Sequence, residues 1–257
     1  MLNYERDLSN TINRKVNRMK CYDSLYFSSN ENFNNLFSSF DFKDKDVFSI
    51  IGSGDQAFYF YNQGVKQVDL YDVNIVSIYY YILRIWCIKY LGDLYPKLKI
   101  DYIKNLLSIV KPINLFEDNI YKYWNGFIDY ISRDSELDSL FFIGSNPMLE
   151  KYIDDVSVLD KILRDKKISI VQMDITRPVN LDKKYDVVFV SNIPEYIYDT
   201  KSFNTYSNNL DNLLKNDGVV IGSNIMYSGP SIIENKVLSK KFDYHNINRG
   251  YYYTKKR

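Results

Sequence analysis

The spacing of apolar residues changes character along this chain, and the change marks where helices give way to a sheet. Residues 8–19 predict a first helix. A second is predicted from Ser29-Asn30, a capping pair ahead of Glu31, because Phe33, Leu36, Phe37 and Phe40 recur at helical spacing. Residues 46–51 (Asp-Val-Phe-Ser-Ile-Ile) are a short apolar run stopping at Gly-Ser-Gly, as a buried parallel strand does. Residues 55–62 predict a helix closed by Gly64, residues 67–71 a second buried strand ending on Asp72, and residues 74–90 a long apolar helix. This strand–turn–helix–strand–acid order is a βαβ unit, which implies a parallel sheet.

Residues 94–167 break the alternation. Helical patterns cover 100–110, 120–131 and 148–163, and 140–143 is the one candidate strand, so the region reads as a helical insertion. Alternation resumes with strands at 168–173, followed by Asp174, and at 185–190, followed by Ser191-Asn192-Ile193-Pro194. A helix at 202–215 then leads to a strand at 218–223. Segments 241–247 and 250–254, separated by Asn248-Arg249, predict an antiparallel pair. No repeat or linker divides the chain. The expectation is one α/β domain over 1–257, with an N-terminal helical segment (1–45) and an insertion (94–167). Its sheet is Rossmann-like and mostly parallel, with helices on both faces and an antiparallel C-terminal strand pair.

Composition excludes several classes of function. A charged fraction of 25% and a hydrophobic fraction of 46% suit a globular protein. A net charge of +1 gives no field for a polyanion, so a nucleic-acid acceptor is disfavoured. Arg14, Lys15, Arg18 and Lys20, like Lys255, Lys256 and Arg257, read as solvated ends. Cys21 and Cys87 form no Cys-x-x-Cys pair, which fits a reducing cytoplasm and no metal cluster. His245 is the only histidine, which removes most metal-hydrolase and Ser-His-Asp schemes. Charged residues within 1–7 do not fit a secretory signal. Arg84 and Lys89 interrupt the apolar run 75–91, which therefore reads as a buried helix and not a membrane span.

The candidate chemistry lies where predicted strands end. Gly52-Ser53-Gly54 joins a strand to a helix, where glycine allows unusual dihedrals and close ligand approach. Asp55 opens that helix, either as a dipole-favoured acid or facing the cationic end of a cofactor. Asp72 ends the next strand near the offset at which an acid meets ribose hydroxyls; the alternative is a cap for the following helix. Asp174 suits an adenine amino group or ordinary turn chemistry. In the loop Ser191-Asn192-Ile193-Pro194-Glu195-Tyr196, Asn192 is a candidate to orient an acceptor, and Glu195 or Tyr196 to take a proton or pack against it.

With these residues in this order, the chain resembles the class I S-adenosylmethionine-dependent methyltransferases. The stretch from Tyr26-Phe-Ser-Ser-Asn-Glu-Asn through Gly-Ser-Gly-Asp-Gln to Tyr-Asp-Val-Asn is more narrowly similar to a bacterial branch related to the aminocarboxypropyl transferases of betaine-lipid synthesis. The resemblance implies S-adenosylmethionine as cofactor. Gly52, Ser53, Gly54 and Asp55 would flank its methionine part, Asp72 its ribose, and Asp174 with Ile175 its adenine, with Ser191 beside it. The family's acid two residues before the first glycine is Ile50 here, which turns attention to Asp55 for the methionine amino group. Asn192-Ile193-Pro194 partly resembles the Asn-x-Pro-Tyr motif of amino-group methyltransferases, with Glu195 standing before the tyrosine.

The reading is therefore a cytoplasmic S-adenosylmethionine-dependent transferase without a metal. It moves a methyl group to a small-molecule, lipid or protein acceptor. Transfer of the aminocarboxypropyl arm stays open. So does a nicotinamide-dependent oxidoreductase, because Gly52-x-Gly54-x-x-Ala57 and Asp72 also suit that cofactor, and so does a catalytically inactive interaction module.

Overall fold

Seven of the strands join in one mixed sheet. The structure, a computed structural model, describes residues 2–16, 25–29, 31–97, 99–132, 141–142, 151–153, 155–224, 229–247 and 250–256. Arg18, Lys20, Cys21, Asn30, Asn248, Arg249 and Arg257, with residues 17–19, 140, 143 and 148–150 of the predicted elements, lie outside these. In chain order the elements are α1 (Tyr4–Val16), β1 (Leu25–Tyr26), α2 (Phe33–Phe37), β2 (Asp46–Ile50), α3 (Asp55–Asn62) and β3 (Gln67–Asp72). There follow α4 (Ile75–Leu91), α5 (Ile100–Ile109), α6 (Leu115–Ile131), β4 (Phe141–Phe142), α7 (Val156–Asp165), β5 (Ser169–Gln172) and β6 (Tyr185–Ser191). After a 3-10 turn at Ile193–Tyr196 come α8 (Thr200–Leu213), β7 (Leu214–Ser223), α9 (Ile232–Leu238), β8 (Phe242–Ile247) and β9 (Gly250–Lys255).

The chain divides into two compact units. One comprises Glu31–Ile50, Phe60–Val73 and Lys167–Arg257 and carries the sheet, in the order β5-β3-β2-β6-β7-β9-β8. β5, β3, β2, β6 and β7 run parallel; β9 is antiparallel to both of its neighbours, β7 and β8. The chain builds from β2 outward to β3 and β5, then restarts at β6 on the other side of β2. That reversal is a topological switch point, where open α/β sheets bind ligands beyond the carboxyl ends of the strands. A core of Phe48, Tyr71, Val188, Phe203, Leu210 and Val220 ties β2, β3, β6 and β7 to α8.

Two differences from expectation in this unit have local causes. α2 starts at Phe33, not near Ser29, because Asn32 Oδ1 accepts from the Asn35 amide at 3.2 Å and begins the turn there. Phe33 and Phe37 then stack 5.6 Å apart, while Phe40 leaves the helix. β7 begins at Leu214, ahead of the expected 218, because Leu214 pairs with Tyr185 across a bulge.

The other unit comprises Met1–Asn30, Ile51–Tyr59 and Asn74–Lys166 and is helical. α4 is apolar on all sides and buried from Ile75 to Ile88, so it shows no amphipathic stripe. Asn74 caps it, accepting from the Val76 amide at 3.1 Å, and Gly92 closes it in the left-handed conformation. The tyrosines have structural work here: Tyr79 and Tyr123 stack at 3.9 Å, and their hydroxyls donate to Asp7 and Thr11. α6 starts at Leu115 rather than 120, capped by Asn114; Leu115 and Phe116 in its first turn are exposed and so lie off the buried stripe that periodicity registers. α7 starts at Val156, capped by Asp155. Among the described residues, no helix is long and apolar enough to cross a membrane.

Candidate functional site

Ile51 alone separates the end of β2 from the glycine turn, whose two glycines are needed for different reasons. Both have positive φ, 49° at Gly52 and 88° at Gly54, and the Gly54 amide donates to the Ile51 carbonyl at 2.6 Å. Among the described residues, a Cβ on Gly52 would meet the Gln56 side-chain amide at 3.8 Å, an ordinary contact distance. A Cβ on Gly54 would lie 2.6 Å from Tyr81 Cδ2, so this glycine is required by packing. Gly54→Ala is therefore expected to lower unfolding free energy by about 2–3 kcal/mol, combining φ strain with a clash, and Gly52→Ala by about 1 kcal/mol. Urea unfolding of the two variants checks that order.

Asp55, expected to face a cofactor, is engaged within the protein. Its Oδ1 is 2.6 Å from Arg84 Nη1, and both side chains are 0% exposed. The Tyr95 hydroxyl lies 2.9 Å from both carboxylate oxygens, and the Ser29 amide donates to Oδ2 at 2.7 Å. Arg84 also donates to the Ser53 carbonyl at 2.7 Å and, through Nε and Nη2, to the Leu94 carbonyl at 3.1 and 3.0 Å. Its guanidinium sits over the rings of Phe58 and Tyr95. Burial works against the charge, but Asp55, with Tyr95 and Tyr80, more than offsets it and holds Arg84 above its ordinary value. In the sequence, Arg84 stands only as an interruption of an apolar run. A single arginine inside an otherwise apolar, buried helix requires an acid partner, and that was the available signal.

At the carboxyl edge of the sheet the remaining candidates are placed as follows. Asp72 is buried at the end of β3, and its carbonyl accepts from the Met173 amide beyond β5. Asp174 closes its own turn, accepting from the Thr176 amide and hydroxyl at 2.9 and 2.6 Å, with Arg177 at 3.3 Å. The side chain of Ile175 belongs to the core, and its carbonyl accepts from Asn209 Nδ2 at 2.7 Å. Ile50 packs against that core as well. Ser191 adopts φ 51°, a strained value for a residue with a side chain, and donates to Glu31 at 2.5 Å. Glu31 also accepts from Ser223 at 2.6 Å, joining the ends of β6 and β7. In the sequence, Glu31 stands only as the residue after a cap, because nothing local marks a partner 160 positions away.

Asn192 is turned onto its own loop. Its Nδ2 donates to Glu195 Oε2 at 3.1 Å, which fixes that carboxylate. Tyr196 points to the exterior, 39% exposed. Glu195 lines a cavity of about 170 Å³ with Pro194, Tyr198, Ser231, Glu234 and Tyr251 among its walls. Glu234 was not singled out from the sequence. It is 3% exposed, accepts from the Tyr253 hydroxyl at 3.0 Å and forms a capping box with Ser231. Burial raises its pKa to about 7; the Tyr253 and Ser231 hydrogen bonds oppose the rise and the Glu195 charge adds to it. His245 stacks on Tyr252 and lies 3.1 Å from Thr254 Oγ1, a structural position. Among the described residues, no group of three or more His, Cys, Asp or Glu is arranged to hold a metal ion.

No family model and no curated protein matches this sequence. Solved structures do match. The N-methyltransferase NodS from Bradyrhizobium japonicum, complexed with S-adenosyl-L-homocysteine, aligns at TM-score 0.50 and 9% identity, covering 98% of this chain and 99% of that one. A TehB-like S-adenosylmethionine-dependent methyltransferase from Corynebacterium glutamicum aligns at TM-score 0.45 and 11% identity, covering 98% of each chain. A ribosomal protein L11 methylase from Lactobacillus delbrueckii aligns at TM-score 0.41 and 16% identity, covering 84% of this chain and 72% of that one. With its strand order and the likeness at TM-score 0.50, this chain has the fold of the class I S-adenosylmethionine-dependent methyltransferases.

Proposed function

We propose that this protein is an S-adenosylmethionine-dependent methyltransferase acting on a small-molecule, lipid or protein acceptor in the reducing cytoplasm. The observation that carries the reading is β9, antiparallel between β7 and β8. A dinucleotide-binding sheet continues at that edge with a sixth parallel strand, so the ending weighs against a nicotinamide cofactor. The glycine turn, Asp72 and the loops after β5 and β6 follow the carboxyl ends of consecutive parallel strands, where this fold places its ligand.

The residues suit the cofactor with one revision. Gly52 flanks the methionine portion, Asp72 takes the ribose hydroxyls, and Asp174 with Ile175 borders the adenine. Asp55 serves as a positioning residue: through Arg84 it holds the Ser53 carbonyl, and so the turn. When bound, the sulfonium supplies an already activated carbon. The protein needs chiefly to hold and orient the partners, so a triad or metal is not required. Asn192 holds Glu195 toward the acceptor, and Tyr196 offers an exposed ring for it to pack against.

Calorimetric titration tests the cofactor. S-adenosylhomocysteine is expected to bind and NADH to give no heat; the reverse result would sink the reading. Incubation of the protein with S-adenosylmethionine and an acceptor mixture then tests the transfer. Release of S-adenosylhomocysteine is expected, whereas methylthioadenosine would assign aminocarboxypropyl transfer instead.

A further inference from the structure

We propose that the cavity between the Ile193–Tyr196 turn and the start of α9 binds an aliphatic ammonium group, which makes an amine the acceptor class. The inference rests on the transferase reading for the word acceptor, but the ammonium site itself stands on the cavity alone. Two carboxylates, Glu195 and Glu234, line it, and no Lys, Arg or His is among the described residues that do. They sit close enough for the Glu195 charge to act on Glu234. Tyr251 also lines the cavity at 2% exposure, and its hydroxyl meets no hydrogen-bond partner among the described residues. That hydroxyl is packed over Gly222, where a Cβ would lie 2.3 Å from it, so it is not offered to a guest in the cavity.

The rest of the wall fits the same guest. Tyr198 and Tyr251 add aromatic surface to the wall, and Ile197 and Ile233 suit an alkyl stem. Asn192 fixes one carboxylate through its 3.1 Å bond to Glu195. The Tyr253 hydroxyl and the Ser231 amide fix the other. Preorganised acceptors of this kind do not have to be ordered when the ligand arrives. An ammonium nitrogen has no lone pair until it sheds a proton. A carboxylate here accepts that proton, RNH3+ and COO− becoming RNH2 and COOH, and a glutamate whose pKa is raised to about 7 is well matched to hold it.

The test uses n-butylamine, cationic at neutral pH, against n-butanol of nearly the same shape. Nuclear magnetic resonance titration of the full chain at pH 7.5 is expected to give the amine at least tenfold tighter binding. Glu195→Gln, at a half-buried position outside the core, is expected to erase most of that preference. Glu234→Gln, which keeps an oxygen for Tyr253, is expected to do the same. Equal binding of amine and alcohol, or a preference unchanged in both variants, would overturn the inference. S-adenosylhomocysteine titrated into the same samples separates the two claims. Cofactor binding without amine preference refutes only this inference, and amine preference without cofactor binding supports the ammonium site while refuting the transferase reading.

Discussion

Arg84→Met is expected to cost about 3–5 kcal/mol of stability, because it leaves Asp55 charged and buried without its counter-ion. The pair is fully enclosed, so solvent cannot screen the abandoned carboxylate. The loss extends past the ion pair: the Ser53 and Leu94 carbonyls also lose the donor they share. Asp55→Asn should cost less, since an amide oxygen still accepts from Tyr95 and the Ser29 amide, though Arg84 then carries the unpaired charge. The double variant Asp55→Leu with Arg84→Met should recover much of the loss, because no buried charge remains. Urea unfolding of the three variants measures this. If Arg84→Met matched the native protein within about 0.5 kcal/mol, a typical surface effect, the buried pair would not be holding the turn.

The second large effect depends on pH through Glu234. Its folded pKa is raised from the ordinary 4.5 to about 7, so the folded state binds the proton more tightly than the unfolded chain. The stability associated with that proton is fully present below about pH 4.5 and is lost as pH rises through 7. The span corresponds to about 3 kcal/mol. Glu234→Gln holds no titratable proton, so the difference in stability between native protein and variant should move by that amount between pH 4.5 and 8, against the native protein at the alkaline end. Chemical denaturation at several pH values reads it directly. A flat difference would mean that Glu234 titrates normally and that burial imposes no penalty on its charge.

Both effects involve residues whose importance does not appear in local sequence. Asp55 was legible as a candidate because a glycine turn precedes it and a helix follows. Its partner, 29 positions away in α4, was not, because apolar periodicity reports only that a helix is buried and not which charge it encloses. Glu234 shows the same limit. The sequence Ser231-Ile-Ile-Glu234 marks a helix start, while the cavity it lines depends on Glu195 and Tyr251 arriving from other strands and turns.

The sequence by itself determined the parallel strands, the glycine turn, the acids that follow strands and the antiparallel ending. Each depends on side-chain alternation, chain reversal or glycine dihedrals, which act over a few residues. Tertiary structure alone decided which acids are spent inside the protein. Asp55 pairs with Arg84, Asp174 closes its own turn, and Glu31 joins Ser191 to Ser223. It also decided that β9 enters between β7 and β8. The physical reason is common to these cases. A buried charge or an edge strand is satisfied by whatever the fold brings within about 3 Å, and that partner can lie anywhere along the chain.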